Sequence, residues 1–155
     1  MLDIQRKLAR AFEGAGPLIT RLRDDGTFDS DADLLARARA ILADMPEAEQ
    51  VAVINAHPRI GENPAKVSAD SFKEQGYDRD TTPPEVYLRL ARLNEEYEQK
   101  FGFRFVVFVN RRPKEAIVSL LEARLRGARE DERQTALREI LAIAADRLRR
   151  EGGEG

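Results

Sequence analysis

The chain has no cysteine, and among its 155 residues there is a single histidine, His57. Without cysteine there can be neither a disulfide framework nor a thiolate metal site. One histidine argues against a multi-histidine metal centre, so any metal would fall to carboxylates alone; none is expected. Charge of one sign is missing too. The 26 basic and 28 acidic residues interleave and leave a net charge of −2, which points to solvated helix faces rather than a nucleic-acid-binding field. No stretch has the length and apolarity of a membrane span, and the first residues lack the apolar segment of a secretory leader. The expectation is a cytoplasmic protein with no membrane or nucleic-acid partner. Neither a Gly-rich phosphate loop nor a G-x-S-x-G elbow occurs.

What is present is helical periodicity. Apolar residues make up 42% of the chain, near the globular norm. The length suits one domain, expected over residues 1–150, with 151–155 as a disordered tail. Leu8, Ala11 and Phe12 mark a first helix, and Pro17 suits the first turn of a second. Ser30 and its aspartate neighbours offer an N-cap for a helix to Asp44, carrying Leu34, Leu35, Ala38, Ile41 and Leu42 on one face. Pro46 opens the next, which His57-Pro58 ends, because proline disfavours the α conformation in the residue before it. Ser68 can cap a short helix across residues 69–77. Pro83-Pro84 opens a longer one to Phe101, with Leu90, Leu93 and Tyr97 at helical spacing. Two more follow, from Pro113 and from Glu130, the last turning Leu137, Ile140, Leu141, Ala144 and Leu148 inward. The fold class is all-α, a single-domain bundle of about seven or eight helices.

The segment from Gly102 to Asn110 breaks the pattern. Phe103, Phe105, Val106, Val107, Phe108 and Val109 suit a buried strand, yet the only partner on offer is Gln50–Ile54, and two strands alone make a poor sheet. A short extended, buried connector near 103–110 is therefore expected. Its backbone groups must find partners, since buried orphans are costly. A flat, polar, ring-shaped ligand could supply them, or Gln50–Ile54 could.

Among the side chains that could carry chemistry, His57 comes first. Imidazole alone has an unperturbed pKa, about 6.5, that puts both protonation states near neutrality; a surface or helix-capping histidine is the alternative. Ser71, Glu74, Gln75 and Asp78 share one helix face, able to orient a base or simply to meet solvent. Asn94, Tyr97 and Phe101 read as core with a polar rim. Arg147 borders the apolar face of the last helix, where its fork of donors can bind a carboxylate or ureido oxygen or its stem can snorkel to water. The basic cluster Arg111-Arg112-Pro113-Lys114 reads as solvated charge at a helix start.

Taken in order, these motifs form a set. Ala56-His57-Pro58-Arg59-Ile60-Gly61, Ser71-x-x-Glu74-Gln75, and Asn94-x-x-Tyr97-x-x-Lys100-Phe101-Gly102-Phe103-Arg104-Phe105 together resemble the OHCU decarboxylase family. Its members act on 2-oxo-4-hydroxy-4-carboxy-5-ureidoimidazoline (OHCU) during oxidation of urate to allantoin. Glu122-Ala123-Arg124-Leu125 and Ile143-Ala144-Ala145-Asp146-Arg147-Leu148 resemble the family as well, so the likeness spans nearly the whole chain.

The resemblance implies an all-helical, cofactor-free carboxy-lyase, often a homodimer, that yields (S)-allantoin. By motif, the family's catalytic histidine falls on His57 and its catalytic glutamate on Glu74. Its ligand contacts fall on Pro58, on Ser71, Phe72, Lys73, Glu74 and Gln75, on the backbone of Phe105, Val106, Val107, Phe108 and Val109, and on Arg147. The chain departs from the family in carrying Arg104 where proline is usual, in a shorter run after Glu74-Gln75, and in a compact loop between His57 and Ser71. The rival reading is a non-catalytic helical binding or adaptor module, which would bind without turnover.

Overall fold

A computed structural model describes residues 2–12, 15–25, 27–61 and 82–153. Among these there are seven helices and no strand. The chain divides into two compact units. One comprises Met1–His57 with Leu137–Gly155, the other Pro58–Ala136.

In the first unit α1 spans Leu2–Ala11, α2 Gly16–Asp24, α3 Asp31–Asp44 and α4 Glu47–Asn55. Local chemistry sets their ends. The Ser30 side chain accepts from the Asp33 amide at 3.0 Å, satisfying one of the donors that every helix start leaves open. Asp31 and Asp33 in the first turn complement the positive end of the helix dipole. Pro17 sits in the first turn of α2, and Pro46 precedes α4. Helix α2 packs against α1, α3 and α4, burying Leu8, Phe12, Leu18, Leu22, Leu34, Ala38, Leu42, Val53 and Ile54. Leu35 and Ile41, on the edge of the expected α3 stripe, are half-buried. Gln50 is a buried polar residue in α4, and its Nε2 donates to the Leu42 carbonyl at 2.7 Å. It thus gives a close second donor to a carbonyl in the last turn of α3 that the Met45 amide reaches only at 3.4 Å. Gln50–Ile54 is helical, so it is not the ladder partner considered for the 103–109 segment.

In the second unit α5 spans Pro84–Phe101 and α6 Lys114–Arg124, and the two pack together. Leu90, Leu93, Tyr97 and Phe101 of α5 are buried with Ile117 and Leu121 of α6. Gly102 ends α5 at φ +81°, where its amide reaches the Glu98 carbonyl at 2.8 Å; the left-handed turn favours glycine. The last helix, α7, runs from Arg129 to Gly153. Its first residues belong to the second unit and those from Leu137 to the first. Ile140, Ile143, Ala144 and Leu148 supply its buried face in the first unit, with Leu141 half-buried. No helix among the described residues is long and apolar enough to cross a membrane. Residues 69–77, expected to be a short helix, lie outside the described residues.

Candidate active site

His57 stands just past the end of α4. Its amide still bonds the Ile54 carbonyl, at 3.2 Å, and Pro58 then prevents another turn. The side chain is 3% exposed, so this is not a surface histidine. Nδ1 lies 3.4 Å from the Val53 carbonyl. A carbonyl can only accept, so the contact favours the tautomer with its proton on Nδ1 and its lone pair on Nε2.

The residues that follow are fastened to α5. Arg59 grips Glu98 with two bonds, Nε to Oε2 at 2.7 Å and Nη2 to Oε1 at 3.0 Å. The Asn94 amide donates to the Ile60 carbonyl at 3.0 Å. Gly61 adopts φ +85°, and a Cβ there would stand 3.5 Å from both Tyr87 and Leu90. A groove of about 500 Å³ runs along this face of α5, lined by Arg59, Ile60, Gly61, Asn94 and Glu98 among others. Arg59 and Glu98 neutralise one another within it, and among the described residues none of the expected site residues lines it.

The connector after Gly102 is neither helix nor strand and is largely buried. Phe105, Val106, Val107 and Val109 are at most 4% exposed. Among the described residues, nothing accepts a hydrogen bond from the amides of Phe105, Val106, Val107 or Val109. The carbonyls are treated differently. Arg124 Nη1 donates to Val106 O at 3.0 Å, and Arg112 donates to Phe108 O and, through Nε at 3.0 Å, to Val109 O. Asn110 and Arg111 close the connector in left-handed conformations, φ +48° and +64°, which cost non-glycine residues about 1–2 kcal/mol each. The result is a set of buried amides, those of Phe105, Val106, Val107 and Val109, that the described residues leave unanswered, beside carbonyls fixed by guanidinium groups.

Arg147 is 1% exposed, so its stem does not snorkel to water. Nη1 donates to the Arg10 carbonyl at 2.9 Å, in the last turn of α1. Arg149 is exposed and pairs with Asp146, as does the half-buried Arg150. Ser71, Phe72, Lys73, Glu74 and Gln75 lie outside the described residues. No cluster of three or more His, Asp or Glu side chains able to hold a metal occurs among the described residues.

The family model for OHCU decarboxylase matches residues 3–149 of this chain. The chain belongs to the OHCU decarboxylase family. It is 30% identical over 128 residues to the 2-oxo-4-hydroxy-4-carboxy-5-ureidoimidazoline decarboxylase of Haloferax volcanii, covering 83% of this chain and 76% of that protein. To the uric acid degradation bifunctional protein PucL of Bacillus subtilis it is 34% identical over 142 residues, 91% of this chain but 28% of that longer protein. A crystal structure of an OHCU decarboxylase in the presence of (S)-allantoin shares the fold. Its TM-score is 0.72 at 22% identity, covering 92% of this chain and 94% of that one.

The resemblance assigns roles to His57, the connector and Arg147, and none to what holds the connector. Arg112 was expected to be solvated charge at a helix start; it is exposed, yet its guanidinium folds back onto the Phe108 and Val109 carbonyls. Arg124, quoted in the Glu122–Leu125 run, joins Tyr97 and Glu132 in a buried network. Tyr97 Oη donates to Glu132 Oε1 at 2.7 Å, and Arg124 Nε donates to the same oxygen at 2.7 Å. Burial first, and then the bond to the Glu132 carboxylate, raise the Tyr97 phenol well above its ordinary range, with the Arg124 charge opposing them. The usable signal was a pair of opposite charges eight residues apart across a helix break.

Proposed function

We infer that this chain decarboxylates OHCU to (S)-allantoin in urate catabolism. Loss of the carboxylate as carbon dioxide leaves a bonding pair that passes into the neighbouring ring C=N. The ring nitrogen takes a proton, the hydroxyl gives one up as its carbon becomes a carbonyl, and the adjacent carbon is protonated from a single face. The ring itself accepts the electrons, so the protein's task is to orient the substrate, move a proton and choose that face.

In this reading His57 is the acid–base residue, its lone pair on Nε2 and its ring fixed by burial. Glu74 supports it electrostatically, and Pro58 limits its backbone. Ser71, Phe72, Lys73 and Gln75 help to hold the ring and ureido groups. The amides of Phe105 to Val109 donate to ring and ureido oxygens, and Arg147 contributes charge-assisted bonds. We extend the family resemblance to a homodimer working in the cytoplasm, which predicts a particle of twice the 17.5 kDa chain mass by light scattering.

One observation carries the reading: the connector combines deep burial with amide donors that the described residues leave unanswered. Orphaned amides in so buried a segment are costly unless a ligand takes them.

The test is turnover. OHCU generated from urate by an oxidase and a hydroxyisourate hydrolase should vanish faster with this protein than without it. His57→Asn, still folded, should lose about 10²–10⁴-fold in kcat, the usual contribution of a positioned acid or base. Binding of ureides with no turnover would instead favour the adaptor reading.

A further inference from the structure

The carbonyl of Val106 is held by a device that the reaction chemistry does not call for. Arg124 spans two duties with one guanidinium. Nη1 donates to Val106 O at 3.0 Å, while Nε donates to Glu132 Oε1 at 2.7 Å. The cation also lies over the Phe105 ring, 4.6 Å from its centre. Glu132 in turn receives the Tyr97 hydroxyl, and the Tyr97 ring meets Phe105 edge-on at 5.4 Å. Arg124 and Glu132 side chains are only 10% and 8% exposed. Gly127 leaves the carboxylate its room, since a Cβ there would stand 3.0 Å from Glu132 Oε2.

Stability alone does not explain this arrangement. Apolar side chains of similar volume often stabilise a core as well as a buried ion pair does. Moreover, Arg124 Nη2 is buried with no hydrogen-bond partner among the described residues, an expense for a charged group. What a planar fork supplies that an apolar side chain cannot is direction. Here it fixes the connector at two successive residues, through the Phe105 ring and the Val106 carbonyl. A planar peptide unit joins the carbonyl of one residue to the amide of the next, so holding Val106 O aims the Val107 amide.

We propose that Arg124, Glu132 and Tyr97 act as one positioning unit that aims the connector amides at the ureidoimidazoline ring and so sets the enzyme's affinity for it. The proposal rests on the reading of the connector as a substrate-binding segment. All three are positioning residues, acting through the backbone of Phe105 to Val109. Lysine at 124 keeps the charge but cannot serve Val106 and Glu132 in the same planar geometry. Phenylalanine at 97 keeps the ring but removes one of the two donors that hold Glu132 Oε1.

Steady-state kinetics and hydrogen exchange of the 103–110 segment, measured on the full chain, test it together. For Arg124→Lys, KM and the inhibition constant of allantoin should both rise about tenfold, the affinity equivalent of one charge-assisted hydrogen bond. kcat should stay within about threefold, since the proton-transfer step is untouched. Connector amides should exchange faster, by about tenfold on the same accounting. Glu132→Gln and Tyr97→Phe should move the same quantities in the same direction and carry the test if Arg124→Lys does not fold. Arg89→Gln, which breaks the half-buried Arg89–Glu122 pair on the neighbouring helices, should move neither. Folded variants with wild-type KM and wild-type exchange would overturn the proposal, even with a lower Tm. So would a raised KM with unchanged exchange, which would put Arg124 on the ligand itself. Faster exchange in a protein whose wild type has no turnover would uphold the positioning unit and sink the decarboxylase reading instead.

Discussion

At the scale of single residues, burial sets His57 and Arg147 apart from the solvated charge around them. His57 and Arg147 were both legible in the sequence, the first as the lone imidazole before a proline, the second as a cation bordering an apolar stripe. Their depth was not legible, because 3% and 1% exposure arise from tertiary packing rather than from spacing. Arg112 shows the converse. Local pattern made it solvated charge, and its return to the Phe108 and Val109 carbonyls depends on a left-handed turn at Asn110 and Arg111 that nothing in those residue types demands. Tyr97 has its own measurable consequence. Its folded-state pKa lies above the unfolded value of about 10, so the stabilisation from its retained proton is whole below that pH. Above it the unfolded chain releases a proton that the folded chain keeps, and stability falls as pH rises. Denaturation of wild type and Tyr97→Phe between pH 9 and about 12 should therefore show the steeper loss in wild type. Parallel curves would mean that Tyr97 is not held as the structure has it.

At the scale of elements, the connector is the informative piece. Its residues have strand propensity and no strand to pair with, since Gln50–Ile54 is helical. Sequence could therefore pose the question of where its backbone bonds go, but not answer it. Guanidinium groups from α6 and from the turn before it take the carbonyls, while the amides of Phe105, Val106, Val107 and Val109 stay open among the described residues. Gly102 governs how the chain enters this element. A Cβ there would meet nothing within 4 Å, so replacing it by alanine costs only the strain of φ +81°. Gly102→Ala should lose about 1 kcal/mol in urea denaturation, the usual penalty of the left-handed conformation. A loss near zero would show that α5 ends without that turn.

At the scale of the whole molecule, the fold class was legible and the site only partly so. Proline, glycine and serine punctuation placed the described helices to within a few residues, because caps and breakers act locally. The catalytic reading came from the order of motifs spread from Ala56 to Leu148, a property of the chain as a whole that no single spacing carries. The link between Tyr97, Arg124 and Glu132 stayed hidden because a buried network pairs residues from three helices, and no periodicity within one helix announces it. The claim that joins these scales is that the chain removes carbon dioxide and delivers a proton to one face of the ring. Circular dichroism of the allantoin formed from freshly generated OHCU measures it most directly. The account predicts an excess of the S enantiomer that grows with protein concentration and collapses toward racemic product with His57→Asn. Racemic allantoin formed at the spontaneous rate, whatever the amount of folded protein added, would contradict it.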